Sequence, residues 1–294
     1  MNNMKELHNP VLLNKTLELI EPKEGERYLD LTAGYGGHAR AFLAKTKNIK
    51  GAALVDRDDF AISNLKDLEE AGAKLIHKNF YDATLELISD GQLFDIILMD
   101  LGVSSPQLDN ADRGFSLSKS GPLDMRMDRR STKSAYQIVN ECSETELTEM
   151  FVRYGEESRA QAKKIARAIV NSRPISSTDE LAELIKVNSN KKYSKIHPAT
   201  RIFQSIRIAV NDELEEIEKT LKVVSRLLAK GGRLGVISFH SLEDRLVKNH
   251  FKSDAEAGLE SEFSTLTKKP ISGKIYDVNN PRARSAKMRV AVKK

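Results

Sequence analysis

The stretch Phe94-Asp95-Ile96-Ile97-Leu98-Met99-Asp100, continuing as Leu101-Gly102-Val103-Ser104-Ser105-Pro106-Gln107-Leu108-Asp109, decides the fold. Its apolar run reads as a buried strand, and that strand delivers a carboxylate, a glycine, two hydroxyls and an amide to one sheet edge. Open α/β sheets place their ligands at such edges. The next segment, with Arg113-Gly114-Phe115 and Gly121-Pro122-Leu123-Asp124-Met125-Arg126-Met127-Asp128, is too polar and too specific for a plain connecting loop.

Toward the N-terminus, short apolar runs at 28–31, 52–55 and 74–76 alternate with helical spacing over 39–44, 59–68 and 82–88. That alternation predicts βαβ units and a parallel sheet. Beyond the quoted stretch the pattern changes, and from 133 to 187 only helices are predicted. Ser143-Glu-Thr-Glu146 and Ser177-Thr-Asp-Glu180 read as capping-box starts, and residues 160–170 carry apolar positions at helical intervals. A long helix over about 199–228, then Lys230-Gly-Gly232 and the run 234–239, predicts a return to the sheet. Residues 263–267 and 288–292 are expected to form an antiparallel edge pair. The expected organisation is one α/β domain interrupted by an all-helical insertion: 1–110, the insertion 111–205, and 206–294. No internal repeat or low-complexity segment is present, and 191–195 reads as an exposed loop.

Composition sets the outer limits. The chain has 294 residues with 40% hydrophobic content, enough for a real core. No apolar run approaches the roughly twenty residues needed to span a bilayer, and the start lacks the apolar centre of a signal peptide, so a cytoplasmic protein without a membrane partner is expected. The single cysteine, Cys142, excludes an intrachain disulfide and a cysteine-rich zinc site, and reads as an inert packed thiol. A net charge of +5 and a pI near 9.0 are compatible with a polyanionic partner without specifying one.

After the first predicted strand stands Asp30-Leu-Thr-Ala-Gly34-Tyr-Gly36-Gly37-His38-Ala39. Glycines here let backbone pass tightly under a ligand and leave helix-start N–H groups facing it. Gly34, Gly36 and Ala39 also satisfy the dinucleotide pattern G-x-G-x-x-A, a weak match. Asp56 ends the second strand, where a carboxylate grips ribose hydroxyls in a NAD site or an S-adenosylmethionine site alike. The third strand ends in Asn79-Phe80-Tyr81-Asp82, an apolar ring and a polar group suited to holding adenine, and the fourth in Asp100. Four acidic or polar strand ends favour a sulfonium cofactor, which carries no pyrophosphate. Phe80 as core and Asp82 as a helix cap are the plainer alternatives.

These residues fall into strings that closely resemble the ribosomal RNA small subunit methyltransferase H family. They are His8-Asn-Pro-Val-Leu-Leu13, Gly34-Tyr-Gly-Gly-His38, 100–109, Arg113-Gly-Phe115, 121–128, Tyr154-Gly-Glu156, His197-Pro-Ala-Thr-Arg201, Asn211-Asp-Glu-Leu-Glu215, Ser238-Phe-His-Ser-Leu-Glu-Asp-Arg245 and Asn280-Pro-Arg-Ala-Arg-Ser285. The resemblance implies a class I, Rossmann-like methyltransferase with an inserted helical domain. It further implies S-adenosylmethionine-dependent methylation of the exocyclic N4 amine of a decoding-centre cytidine in 16S rRNA, within the small ribosomal subunit, by a monomer or homodimer. Carried over residue by residue, it implies cofactor contacts from Gly36, Gly37, His38, Asp56, Phe80, Asp100 and Gln107.

Cytosine's exocyclic amine is a poor nucleophile because its lone pair is delocalised into the ring. Acceptors for its two N–H groups favour a pyramidal nitrogen aimed at the methyl group, and 100–109 offers them. Asp100 and Asp109 are therefore the candidate catalytic residues, with Asp109 accepting an amine hydrogen and later its proton; a plain turn aspartate is the alternative for Asp109. Ser104-Ser105-Pro106-Gln107 resembles the Ser/Asp-Pro-Pro-aromatic motif of enzymes that methylate amino groups on DNA bases, without its second proline and aromatic residue. A base leaving its stack to react points to Arg113, Phe115, Arg126, Arg129, Arg130, Arg282 and Arg284 as candidate RNA contacts, each with an internal ion pair or solvated charge as its alternative. His240 receives no chemical role, and no histidines have metal-ligand spacing, so no metal is expected. The competing functions are a DNA amino-methyltransferase, an NAD-dependent dehydrogenase and a non-catalytic RNA-binding factor.

Overall fold

Strands buried on both faces need apolar side chains at most positions, and the chain supplies them in its central strands. In the computed structural model, which describes residues 10–190 and 197–294, these runs form β1 (Tyr28–Asp30), β2 (Ala53–Asp56), β3 (Lys74–His77), β4 (Phe94–Asp100) and β5 (Leu228–Ser238). They are joined by β6 (Phe263–Thr265), β7 (Ile271–Ser272) and β8 (Lys287–Lys293). The sheet runs β3-β2-β1-β4-β5-β8-β6, with β7 also on β8. β1 to β5 are parallel, and β8 is antiparallel to β5, β6 and β7. That order, two βαβ crossovers one way and a fourth strand returning beside β1, is the Rossmann-like arrangement of class I methyltransferases. His8, Asn9 and the loop expected at 191–195 lie outside the described residues.

The chain divides into two compact units, 1–102 with 214–294 and 103–213. In the first, alternate residues of each strand enter two separate cores. Leu29, Ile97, Met99, Leu234 and Val236 pack with Ile217, Leu221 and Phe251, whereas Tyr28, Ile96, Leu98 and Ile237 pack with Leu12, Ile20 and Phe42. Such two-sided burial is what a parallel sheet requires. Tyr28 and Phe42 stack with centroids 4.7 Å apart.

The second unit is helical where helices are expected: Ala135–Glu141, Glu144–Arg153, Arg159–Asn171, Thr178–Asn188 and Thr200–Asn211. Their apolar faces meet in one core that includes Ile138, Leu147, Phe151, Ile165, Ile169, Leu181, Ile185, Ile202 and Ile206. Ser143 and Glu146 form a reciprocal capping box. Ser177 caps its helix, but Glu180 reaches back to the Ser176 N–H instead.

Three expectations need correction. The helix expected over 199–228 is two helices, Thr200–Asn211 and Glu213–Leu221, broken where Asp212 takes a left-handed conformation (φ 50°). β5 begins earlier than expected, at Leu228, and its register against β4 shifts between Phe94 and Ile96. The pair 263–265 and 291–293 forms, but β8 is interior, because its other side bonds to β5. Helix Leu13–Ile20 has no counterpart in the sequence reading.

Candidate active site

β2 and β3 extend the sheet on one side of β1 while β4 lies on the other, so the crossover loops diverge above the carboxyl ends of β1 and β4. A crevice at such a switch point is where open α/β sheets bind ligands. The two strands end in Asp30 and Asp100.

Asp30 is buried, accepting from the Tyr28 hydroxyl at 2.7 Å and the Thr32 N–H at 3.1 Å. Burial raises its carboxyl to about 6 in spite of these donors. Asp100 donates its own N–H to Thr32 Oγ1 at 2.6 Å. Its Oδ1 is buried and, among the described residues, accepts no hydrogen bond. The His38 Nε2 stands 3.5 Å from Oδ2, and burial lowers that imidazole to about 4, leaving it neutral at pH 7. Burial, with the negative fields of Asp30 and Glu243, pushes the Asp100 carboxyl well above the usual range. Three carboxylates thus share one low-dielectric region with, among the described residues, no cation in contact with Asp30 or Asp100, an arrangement that favours a positively charged ligand.

The loop after β1 is tied to the end of β2. Gly34 donates its N–H to Asp56 Oδ2 and Asp58 to Asp56 Oδ1, both at 2.8 Å, so the carboxylate is oriented while keeping lone pairs for further donors. Burial raises the Asp56 carboxyl. Gly36 turns the chain into helix Gly37–Thr46 with φ 81°, and a Cβ there would sit 2.8 Å from Leu65 Cδ2. Phe80, partly buried, opens helix Phe80–Ser89, and the Arg57 guanidinium lies 5.7 Å from its ring centroid. Asn79, not Asp82, caps that helix. The structure therefore gathers Asp30, His38 and Asp100 around one switch point and ties Asp56 to the same loop.

In the second unit the motif-rich segment behaves differently. Ser104 and Gln107 make a reciprocal capping box for helix Ser105–Asp109, so the Gln107 Oε1 accepts from the Ser104 N–H at 2.9 Å. Asp109 is exposed at the end of that helix, and its carbonyl accepts from Lys119 Nζ. Arg113 is buried and donates to the carbonyls of Arg126 at 3.0 Å and Met127 at 3.1 Å. Phe115 is buried in the helical core. Gly114 is required by shape: at φ 70°, a Cβ would lie 2.2 Å from the Pro122 carbonyl oxygen. Arg126 pairs with Asp124 at 2.6 Å and Arg130 with Asp128 at 2.8 Å. Asn211 clamps the segment, donating to the Met125 carbonyl and accepting from the Met127 N–H, both at 2.8 Å. Arg129 and Arg130 are exposed here, as is Arg284 in the first unit, while Arg282 is half-buried.

The sequence reading counts the Asp30 strand end among the polar ones without giving Asp30 a contact, and it has no place for Tyr28 or Glu243. The spacing His240-Ser-Leu-Glu243 held a signal: His240 is an N-cap, and its Nδ1 accepts from the Glu243 N–H at 3.5 Å in a capping box. Cys142 ends helix Ala135–Glu141, half-buried, with burial pushing its thiol up.

The chain matches the model of the MraW methylase family over residues 5–294. Ribosomal RNA small subunit methyltransferase H of Trichormus variabilis is 42% identical over 292 residues, covering 98% of this chain and 92% of that protein. The protein of the same name from Acidobacterium capsulatum is 43% identical over 302 residues, covering 99% of each. Among solved structures, a putative rRNA-methylase from Clostridium thermocellum aligns with a TM-score of 0.46 at 13% identity, covering 98% of this chain and 100% of that one.

Proposed function

As this chain belongs to the MraW methylase family, we propose that it methylates the exocyclic N4 amine of a small-subunit rRNA cytidine, 1402 in the usual numbering. The chain is an S-adenosylmethionine-dependent methyltransferase of small-subunit ribosomal RNA. It acts where ribosomes are built, in the cytoplasm, and no helix among the described residues is long and apolar enough to cross a membrane.

The observation that supports the cofactor reading is the orphaned Asp100 Oδ1 in an acid-rich, cation-poor strand-end region. S-adenosylmethionine supplies the missing positive charge and the electrophilic methyl group. Asp56 would accept the ribose hydroxyls, Gly36, Gly37 and His38 would carry the turn beneath the cofactor, Phe80 would pack on the adenine, and Gln107 would add a polar contact. Alignment in a dry, preorganised site is the main contribution such a protein makes to an in-line displacement. Asp109 and the backbone carbonyls of 100–109 hold the amine hydrogens so that the nitrogen lone pair faces the methyl carbon. Methyl transfer breaks the sulfonium S–C bond, whose electron pair stays on sulfur, as the N–C bond forms, and Asp109 would accept the proton that the amine then loses.

The second unit serves the RNA. With Arg113 and Phe115 buried, its exposed arginines at 129 and 130 carry its phosphate contacts, and Arg282 and Arg284 are the corresponding candidates of the first unit. Labelled methyl transfer to small subunits, naked rRNA and DNA in parallel tests this reading. Label confined to N4 of one rRNA cytidine is expected, and label in DNA or at a ring carbon would overturn it.

A further inference from the structure

Helix Arg159–Asn171 lies wholly in the second unit and carries Arg159, Lys163, Lys164 and Arg167 without a single acidic residue. Ala162, Ile165, Ala166 and Ile169 bury its other face in the helical core, so the cations are driven to one side. Arg159, Lys163 and Arg167 repeat at i, i+4, i+8, a ladder of like charges at intervals of about 6 Å along the axis. Like charges at this spacing repel and weaken a helix unless something offsets them.

The internal offset is incomplete. Arg159 pairs with Glu149 at 2.6 Å and Arg167 with Glu144 at 3.3 Å, both at exposed positions where an ion pair contributes little and exchanges readily. Among the described residues, Lys164 reaches only the neutral Asn190 Oδ1, at 3.3 Å, and Lys163 has no acceptor. Along this face runs a groove of about 530 Å³ whose lining, among the described residues, holds Lys163, Lys164, Arg167, Asn171 and Asn188 and no carboxylate. Ala160 and Ala168 line it as well and, being small, leave room for a bulky chain.

We propose that this groove binds the sugar–phosphate backbone of the RNA substrate at a site separate from Arg129 and Arg130. A ladder of cations suits a repeated anion better than a single one, and the amides of Asn171 and Asn188 suit sugar hydroxyls. The inference rests on the rRNA-methyltransferase reading and adds a second contact region for the same partner.

The test measures binding of the full-length protein to small subunits and to naked rRNA across a salt series. Lys163→Gln with Lys164→Gln is expected to weaken binding to both about five- to tenfold near 0.15 M salt. It should also reduce the slope of log affinity against log salt by about 1.5. Lys163→Arg with Lys164→Arg should bind within about twofold of the unmodified protein, because charge is conserved. A control pair, Lys248→Gln with Lys252→Gln, removes the same net charge from the first unit and should change neither quantity. Unchanged affinity and slope in the Gln pair, or an equal loss in the control, would overturn the groove. Loss confined to assembled subunits would assign it to a ribosomal protein and also overturn the proposal. If the unmodified protein fails to methylate small subunits, the substrate reading itself falls, a result distinct from failure of the groove.

Discussion

The strand-end region of the first unit and the segment 104–130 of the second are equally dense in charged and glycine motifs, yet their charges are handled in opposite ways. At the sheet edge, Asp100 keeps a buried oxygen with no hydrogen-bond partner among the described residues, and Asp30 is raised to about 6 despite two donors. In 104–130, Arg113 bonds to backbone carbonyls, Arg126 to Asp124 and Arg130 to Asp128. The first region is built to be completed by a ligand and the second is mostly completed by itself. Motif density alone does not separate the two, whereas the satisfaction of buried polar groups does.

The largest effect that could break this contrast is in the second unit. Arg113→Met should lower stability by about 3 kcal/mol, because the substitution leaves two buried carbonyls without their donor. Arg130→Met, at an exposed pair, should change stability by no more than about 0.5 kcal/mol. Urea unfolding followed by circular dichroism compares the two. Equal, small losses would mean that the Arg113 bonds do not hold the segment.

In the first unit the sign is reversed, because its buried acid destabilises the fold when ionised. The Asp30 carboxyl is raised in the folded state, from 3.8 to about 6. The contribution is therefore fully present below about pH 4 and is lost as pH rises through about 6, a fall on the order of 3 kcal/mol. Asp30→Asn cannot titrate and should lack that fall, so its stability relative to the unmodified protein should improve between pH 4 and pH 7. Parallel stability curves across this range would contradict the assignment.

A smaller effect sharpens the cofactor half of the comparison. Asp56→Ala should weaken S-adenosylmethionine binding about tenfold or more, the expected worth of charge-assisted bonds to ribose hydroxyls. Calorimetry on the folded variant reads it directly, and unchanged affinity would remove Asp56 from the site.

Much of the sheet was legible because buried strands and helical spacing are local patterns. β1 to β4 fall within a residue or so of the apolar runs, and Asp56 and Asp100 stand at the strand ends where the sequence put them. The break at Asp212 was not legible, since a left-handed non-glycine residue is uncommon and carries no spacing signal. Nor were the partners of Arg113, which lie 13 and 14 residues away and meet it only after the segment folds back. Gln107 differs, because Ser104-Ser-Pro-Gln107 has capping-box spacing, a local signal that the strand end beside it overshadowed. The Asp30 cluster was missed for the reverse reason: an aspartate closing an apolar run gives no sign of how deeply it will be buried.

The central claim is that the acidic strand ends await a cation, and the pH dependence of S-adenosylmethionine binding tests it most directly. Because Asp100 is held well above the ordinary carboxylate range, binding a cation to its ionised form must release a proton whenever the free protein holds one. Calorimetry in buffers of different ionisation enthalpy should show affinity rising as pH climbs above the ordinary carboxylate range, with proton release on binding. Asp100→Asn should bind about tenfold or more weakly at pH 8 and lose most of the pH dependence. Affinity independent of pH, or an Asn variant that binds as tightly as the unmodified protein, would contradict the account.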